Sequence, residues 1–144
     1  MQEELDQLFI FIMMNKVVLI TGGACGIGRA IALELAKNHY DIVINYLTSR
    51  QAAEALKEQI IHEYGVRCLA VCADICDADQ VDRMAAEIEE KLGGIDILIN
   101  NAGIGEQKMI DETDDEWMKY VMDTNLGGPM RYIREALKIF LPQK

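Results

Sequence analysis

The chain has 144 residues, of which 51% are hydrophobic, and this length and composition predict one domain with a sizeable core. With 14 Lys and Arg against 24 Asp and Glu, its formal charge is −10. This balance favours solubility and disfavours nucleic acid and anionic membranes as partners, because both select basic surfaces.

The first residues contain an apolar run that precedes the periodic part of the chain. Residues 8–14 follow acidic residues and are interrupted by Asn15 and Lys16, so they are too short to span a bilayer and lack the basic start of a signal peptide. We therefore expect a cytoplasmic protein. Residues 1–13 are treated as an extension with two open interpretations: an appended helix, or an upstream start with Met14 as the natural first residue.

Four short segments rich in valine and isoleucine predict strands. Their apolar residues are nearly continuous, which is typical of strands buried on both faces of a sheet. In chain order the predicted strands are KVVLIT (16–21), DIVINY (41–46), VRCLAV (66–71) and IDILIN (95–100).

The segments between these strands predict amphipathic helices, because their apolar residues recur at intervals of three and four positions. The alternation of strands and helices predicts parallel neighbours, and hence an α/β fold with a doubly wound, Rossmann-like sheet. The first helix follows the glycines of residues 22–28, the second covers 50–64, and the third ends at Gly93-Gly94. The periodic apolar residues are Ile27, Ile31, Leu35, Ala53, Leu56, Ile60, Tyr64, Val81, Met84, Ala85, Ile88 and Leu92.

The four cysteines are predicted to be free thiols, since cytoplasmic proteins rarely keep disulfides. Cys68 and Cys72 share one face of the third predicted strand, and with Cys76 they do not form the close pairs across turns that zinc sites use. No metal site is predicted. His39 and His62 are interpreted as surface residues.

The stretch LITGGACGIG, residues 19–28, places three glycines where the first strand passes to the first helix. In a parallel sheet this loop lies at the carboxyl edge, where the free N–H groups and the dipole of the helix favour a phosphate. We expect Gly22 to make a tight turn, Gly26 to admit a pyrophosphate, and Gly28 to let helix and strand pack closely. The alternative is an ordinary glycine-rich turn.

Several motifs in this order resemble the short-chain dehydrogenase/reductase family. Its opening signature, T-G-x-x-x-G-x-G, matches residues 21–28, and its Asn-Asn-Ala-Gly sequence matches residues 100–103. The family's Asp after the third strand is matched by Asp74, and its Asn-Leu-x-Gly by residues 125–128. The segments NYLTSRQAAEAL and IDILINNAGIG are most similar to the 3-oxoacyl-carrier-protein reductase group.

The resemblance implies a nicotinamide dinucleotide held by four loops. It assigns the pyrophosphate to the glycine loop, the 2′-phosphate side to the second strand's end, the adenine to the third strand's end, and the nicotinamide ribose to the Asn-Ala-Gly loop. Asn125 is implied as the catalytic-tetrad asparagine, which distorts its helix so that a main-chain carbonyl holds a water of the proton relay. A buried polar residue satisfied locally is the alternative. The implied cofactor-binding residues are Gly22, Gly23, Ala24, Cys25, Gly26, Ile27, Gly28, Thr48, Asp74, Ile75, Asn101, Ala102 and Gly103.

Charge at the end of the second strand favours NADP over NAD. An NAD site needs a carboxylate there for the ribose 2′-hydroxyl, but Tyr46 occupies that place and residues 42–51 contain no carboxylate. The Thr-Ser-Arg sequence of residues 48–50 offers partners for a 2′-phosphate. NAD stays open as the alternative, because neither Cys25 nor Leu47 is the basic residue that many NADP-using members carry.

Family members also carry a Ser at the end of a fifth strand and a Tyr-x-x-x-Lys on the next helix, whose tyrosine is the general acid. None of the five tyrosines here has a lysine four residues later. The resemblance therefore covers residues 14–144 as a nucleotide-binding domain that is incomplete at its C-terminus, truncated after about four strands. Alone, it is expected not to catalyse the family's hydride transfer between a nicotinamide and a carbonyl or alcohol.

Three interpretations of this domain stay open. In the first, it is part of a reductase whose substrate is a small molecule or an acyl-carrier thioester such as a 3-oxoacyl group. In the second, it is a non-catalytic nucleotide-binding or regulatory module. In the third, it is a half that assembles with a separately encoded part. The family resemblance is also compatible with a homo-oligomer.

Overall fold

Strands and helices alternate along the chain, as the sequence predicts. A computed structural model describes residues 15–105 and 108–140. The elements are β1 (Val17–Ile20), α1 (Gly26–Lys37), β2 (Asp41–Tyr46), α2 (Arg50–Tyr64), β3 (Cys68–Cys72), α3 (Ala78–Leu92), β4 (Ile97–Ile99), a short 3₁₀ turn (Ile110–Glu112), α4 (Asp115–Met122), a π-helical turn (Asp123–Gly127) and α5 (Gly128–Phe140).

The four strands form one parallel sheet in the order β3-β2-β1-β4. Val18 is in register with Ile42 on one side and with Ile97 on the other. The chain builds outward from β1 to β3 and then returns to the far side of β1. This reversal confirms the predicted doubly wound, Rossmann-like fold, and it opens a crevice at the carboxyl ends of β1 and β4.

The prediction that all four strands are buried on both faces is right for β1 and β2 and wrong for β3 and β4. Every residue of β1 and β2 is buried, whereas β4 is half-buried throughout and only Val71 of β3 is fully buried. Within the described ranges β3 and β4 are the sheet edges, so each has a strand neighbour on one side only.

Two apolar layers cover the sheet, because alternate residues of the central strands point to opposite faces. Leu19 and Val43 pack with α3 through Met84 and Ile88, on the side that also receives Tyr132 of α5. The opposite layer joins even-numbered residues of β1 and β2 to α1 and α2, and consists of Val18, Ile20, Ala24, Ala32, Ala36, Ile42, Ile44, Tyr46, Ala53, Leu56, Ile60 and Val66.

The predicted inward face of α1 is wrong at Ile27 but right at Ile31 and Leu35, which are half-buried against the core. Ile27 is 74% exposed, and the buried residues of α1 are Gly28, Ala32 and Ala36. The helix lies so close to the sheet that its contact line accepts only small side chains, and the larger Ile31 and Leu35 pack at its flanks. The predicted faces of α2 and α3 are confirmed, since their periodic residues are buried or half-buried.

At the amino-terminal edge of the sheet, a buried carboxylate joins two strands. The side chain of Asp41 is 2% exposed and accepts hydrogen bonds from the main-chain N–H of Arg67 at 2.8 Å and from its Nε at 2.7 Å. Buried carboxylates need such compensation, because an unpaired charge in the interior is strongly unfavourable. The pair fixes the edge of the sheet opposite the crevice.

Across residues 15–105 and 108–140, none of the helices has the length and apolar character needed to cross a membrane. The apolar run 8–14 and the two interpretations of residues 1–13 lie outside these ranges.

Candidate functional site

The loops that follow the four strands surround a cleft of about 530 Å³ at the carboxyl edge of the sheet. This is where ligands bind in open α/β sheets, since the reversal of strand order separates neighbouring loops there. Residues predicted from four different loops meet in its lining. These are Gly22, Thr48, Asp74, Ile75, Ala102 and Gly103.

The three glycines of the first loop are required for different geometric reasons. Gly22 has a left-handed φ of +62°, and a Cβ there would lie 3.0 Å from Cα of Ala102. At Gly28 a Cβ would lie 2.5 Å from the carbonyl oxygen of Gly22. Gly28 therefore packs closely against the glycine loop, and not against the strand as we expected. Gly26 has a φ of +52° with open space around it, which leaves its backbone approachable from outside.

The rest of the loop divides into a buried and an exposed part. Gly23 and Ala24 are buried, whereas Cys25, Gly26 and Ile27 are exposed at the start of α1. No side chain caps this helix end, and its first turn contains no acidic residue. The free N–H groups and the positive end of the helix dipole therefore favour an anion at this position.

Hydrogen bonds tie the glycine loop to the loop after β4. The buried Thr21 hydroxyl accepts from the main-chain N–H groups of Asn101 and Ala102, both at 3.0 Å. In return, Nδ2 of Asn101 donates to the carbonyl oxygens of Thr21 at 3.0 Å and Gly22 at 3.1 Å. The two sequence motifs thus form one unit, in which Asn101 supports the glycine loop.

The end of β2 supplies a neutral wall of the cleft. Tyr46 is buried and lines the cleft, and its carbonyl oxygen accepts from the N–H of Ala73 at 3.0 Å. Leu47 and Thr48 are exposed at the entrance, and Cys72 Sγ contacts the carbonyl oxygen of Leu47 at 3.4 Å. The helix that follows, α2, has no acidic residue in its first turn.

The end of β3 is a rigid turn built around Asp74. Its carboxylate accepts from the N–H of Cys76 at 2.8 Å, and its own N–H donates to Oε1 of Gln80 at 3.0 Å. Gln80 donates in turn to Asp77, and this hydrogen bond contributes most to lowering the pKa of the Asp77 carboxyl. The neighbouring Ile75 is buried against Gly128. A Cβ at Gly128 would lie 2.7 Å from Cδ1 of Ile75.

Asn125 lies in the π-helical turn between α4 and α5, so the predicted helix distortion is present. Pro129 has no N–H, and the carbonyl of Asn125 therefore lacks the usual helical donor four residues later. The Asn125 side chain is exposed rather than buried, and it pairs with the main chain of Ile104. Its Oδ1 accepts from the Ile104 N–H and its Nδ2 donates to the Ile104 carbonyl, both at 2.8 Å.

Among the cleft residues that the sequence did not predict as site residues are Asn45, Cys76, Tyr120, Asp123 and Thr124. Asn45 carried a signal, since it is a polar residue that directly follows the apolar residues 42–44 of a buried strand. The other four come from segments whose position depends on tertiary packing. Cys76 Sγ lies 3.6 Å from both the carbonyl oxygen of Asp123 and Oγ1 of Thr124, which links the β3 turn to the π-helical turn.

Charge in the cleft is limited to carboxylates and helix ends. Asp123 pairs with Lys119 at 2.6 Å, and this contact lowers the pKa of the Asp123 carboxyl. No lysine or arginine is among the lining residues in the described ranges. The described residues also contain no group of three His, Cys, Asp or Glu side chains able to hold a metal ion, and their four cysteines are free.

A parallel sheet that reverses its order beside β1, with a glycine loop at the reversal, defines the class of Rossmann-like proteins. Within this class, the protein-family model described as short chain dehydrogenase matches residues 16–144. The chain therefore belongs to the short chain dehydrogenase family.

Curated relatives include reductases and a dehydrogenase. The 3-oxoacyl-[acyl-carrier-protein] reductase FabG of Staphylococcus aureus is 39% identical over 131 residues, which are 91% of this chain and 53% of the relative. The L-2,3-butanediol dehydrogenase of Corynebacterium glutamicum is 39% identical over 129 residues, covering 88% of this chain and 49% of the relative. The chain spans about half the length of the curated relatives it matches.

Solved structures share the fold over a similar part of their length. The L-sorbose reductase of Gluconobacter frateurii, complexed with NADPH and L-sorbose, superposes with a TM-score of 0.81 at 31% identity, covering 88% of this chain and 48% of that one. The alcohol dehydrogenase of Thermococcus sibiricus, complexed with 5-hydroxy-NADP, superposes with a TM-score of 0.82 at 30% identity, covering 87% of this chain and 53% of that one.

Proposed function

We propose that this chain is the cofactor-binding part of an NADP-dependent oxidoreductase, which transfers a hydride between the nicotinamide and a carbonyl or alcohol. The observation that carries the proposal is the cleft, in which the glycine loop meets Thr48, Asp74 and Gly103. Membership of the short chain dehydrogenase family supports the same activity.

The cleft suits a dinucleotide in size and in chemistry. Its volume of about 530 Å³ lies within the range of roughly 300–1,000 Å³ that is typical of small-molecule pockets. The N–H groups of residues 22–28 would hold the pyrophosphate, Asp74 and Ile75 the adenine, and residues 101–103 the nicotinamide ribose. When bound, the nicotinamide supplies or accepts the hydride.

NADP is preferred over NAD in this proposal. No carboxylate lies at the end of β2 to pair with a ribose 2′-hydroxyl or to repel a 2′-phosphate, and Thr48 lies at the cleft entrance beside an uncompensated helix N-terminus. Two structural neighbours were solved with NADPH or with 5-hydroxy-NADP, which supports the same choice.

Asn125 is proposed as a positioning residue of the family's proton relay. Its side chain holds the loop after β4 through Ile104, and Pro129 leaves its main-chain carbonyl without the usual helical donor. Asn125 does not supply the proton itself, because a carboxamide is not an acid near neutral pH. The proton donor of the reaction would come from a Tyr-x-x-x-Lys sequence, which residues 1–144 do not contain.

The substrate class that we propose is a 3-oxoacyl thioester, on the basis of the similarity to FabG. The second candidate function is a non-catalytic nucleotide-binding or regulatory module, which the same cleft would serve without a proton donor. A cytoplasmic location and a homo-oligomer stay predictions from the sequence.

Calorimetric titration of this chain with NADPH and with NADH tests the binding part of the proposal. We expect both to bind and NADPH to bind more tightly. Equal affinities, or tighter NADH, would overturn the NADP preference, and no binding of either nucleotide would overturn the proposed function.

NADPH oxidation with a 3-oxoacyl thioester distinguishes the reductase from the non-catalytic module. This chain is compared with one extended by the C-terminal half of a relative. Positioned acid catalysis contributes on the order of 10²–10⁴-fold, so we expect at least that difference in rate. Inactivity of the extended chain, with cofactor binding intact, would favour the non-catalytic module.

A further inference from the structure

Asn45 is an unusual residue for its place in the sheet. It lies in β2, where every residue is buried, and it is itself 1% exposed while lining the cleft. Burial of a carboxamide is unfavourable unless its polar atoms find partners. Its Nδ2 donates to the carbonyl oxygen of Ala73 at 2.9 Å.

This bond holds the peptide group that leads from β3 into the adenine side of the cleft. The carbonyl of Ala73 and the N–H of Asp74 belong to the same planar peptide group. Asn45 holds the carbonyl end, and Gln80 accepts from the N–H end at 3.0 Å. Two side-chain amides therefore fix the orientation of the peptide that precedes the Asp74 side chain and the Ile75 N–H.

The main chain of Asn45 reaches the glycine loop. Its carbonyl oxygen accepts from the N–H of Gly23 at 3.0 Å. One residue thus contacts the glycine loop through its main chain and the turn at Asp74 through its side chain. These are the two regions that the proposed function assigns to the pyrophosphate and the adenine.

We propose that Asn45 is a positioning residue for the nucleotide, which sets the adenine side of the cleft relative to the glycine loop. This inference rests on the proposed function. In the absence of the Asn45 amide, the Ala73 carbonyl is left without its partner and the peptide is held only at its N–H end by Gln80, so the orientation of Asp74 and Ile75 is less firmly fixed.

The test is Asn45→Leu, which keeps the branched shape of the side chain and removes its donor. We expect NADPH and 2′,5′-ADP, which carries the adenine half alone, to bind more weakly by the same factor of roughly two- to tenfold, as the loss of one net hydrogen bond gives. Ile42→Val is the matched control, since it removes a methyl group from the same strand away from the cleft. It should lower the melting temperature and leave both affinities unchanged.

Gln80→Leu removes the contact at the N–H end of the same peptide. Gln80 is half-buried and lies outside the sheet, so this variant tests the proposal if Asn45→Leu does not fold. We expect it to weaken both ligands similarly. The double variant should lose less affinity than the two single losses combined, because both side chains act on one peptide.

Three results would overturn the inference. The first is unchanged affinity for both ligands in Asn45→Leu, or in Gln80→Leu where Asn45→Leu does not fold. The second is strictly additive losses of affinity in the double variant, and the third is a loss of affinity in Ile42→Val equal to that in Asn45→Leu. Failure of the unmodified chain to bind NADPH and 2′,5′-ADP would instead overturn the proposed function, and this inference with it. Binding by the unmodified chain with any of the three results above leaves the proposed function intact.

Discussion

The cleft and the outer face of α4 and α5 differ in how their side chains are satisfied: polar groups around the cleft have hydrogen-bond partners, whereas apolar side chains on the outer face are exposed. Around the cleft, Thr21, Asn45 and Asn101 are joined to main-chain groups of neighbouring loops. On the outer helical face, apolar side chains recur at intervals of three and four residues and stay in contact with solvent. This exposed apolar stripe consists of Met118, Met122, Leu126, Met130, Ile133 and Leu137, which are 43–61% exposed.

The opposite face of α5 shows that the exposure is a property of one side of the helix only. Tyr132 and Ala136 are 2% and 5% exposed and lie on that opposite face, where Tyr132 packs with α3. α5 therefore has two apolar faces, and among the described residues only one of them is covered. In the proposed function the cleft binds a nucleotide within this chain, whereas the apolar stripe is the surface through which the predicted homo-oligomer would form.

The largest expected effect is that of Gly28→Val on the cleft. A Cβ at this position would lie 2.5 Å from the Gly22 carbonyl oxygen and 2.6 Å from Asn101 Nδ2, so the glycine loop must move. We expect a loss of about 1–3 kcal/mol in the free energy of unfolding and loss of measurable NADPH binding, by urea denaturation and calorimetry. Gly105→Ala is the control, because nothing lies within 4 Å of a Cβ there. Wild-type NADPH affinity in Gly28→Val would show that the glycine loop does not form the site.

Removing the link between the two motif loops should have the next largest effect. Thr21→Val leaves the N–H groups of Asn101 and Ala102 without their acceptor, and we expect a loss of roughly 1–3 kcal/mol of stability with weaker NADPH binding. Thr21→Ser keeps the hydroxyl and should restore both. If Ser and Val behave alike in thermal unfolding, the hydrogen bonds to Thr21 do not support the cleft.

The neutral wall at the end of β2 is tested by introducing a charge. Tyr46→Asp should shift the preference from NADPH toward NADH by on the order of tenfold, or about 1.4 kcal/mol, since a carboxylate repels the 2′-phosphate and pairs with the 2′-hydroxyl. Tyr46→Asn is the control, because asparagine has the size of aspartate without its charge. It shows how much of the effect of Tyr46→Asp comes from loss of the buried ring and how much from repulsion of the 2′-phosphate. An equal shift in both variants would mean that charge at this position does not set the preference.

The smallest effect on stability is expected at the apolar stripe. The double change Met130→Lys and Ile133→Lys should reduce self-association in sedimentation velocity, while the free energy of unfolding changes by about 0.5 kcal/mol or less. Gln51→Lys with His62→Lys adds the same charge to exposed positions of α2 and should not reduce association. A chain that is monomeric before any substitution would contradict the interpretation of the stripe.

The sequence predicted the fold well where burial follows a simple period. β1 and β2 lie where their continuous apolar runs place them, and the inward faces of α2 and α3 lie where helical spacing places them. The same reasoning placed Ile27 on the inner face of α1, and this was wrong. A helix that approaches a sheet closely buries Gly28 and Ala32 instead, and hydrophobicity alone does not distinguish close from distant packing.

Motif spacing predicted which loops form the cleft, but not how they are held together. Residues 22–28 and 101–103 share hydrogen bonds through Thr21 and Asn101 that depend on strand order. The family resemblance implied a distorted helix at Asn125, whereas the pairing of Asn125 with Ile104 joins segments 21 residues apart. Such contacts between side chains and main chain follow from the fold and have no periodic signal.

Hydrogen exchange with and without NADPH tests most directly whether the cleft binds the nucleotide. We expect added protection in residues 22–28, 47–48, 74–76 and 101–104, and no change along the exposed face of α4 and α5. Protection confined to α4 and α5, or absent from the glycine loop at a saturating concentration of NADPH, would contradict the account.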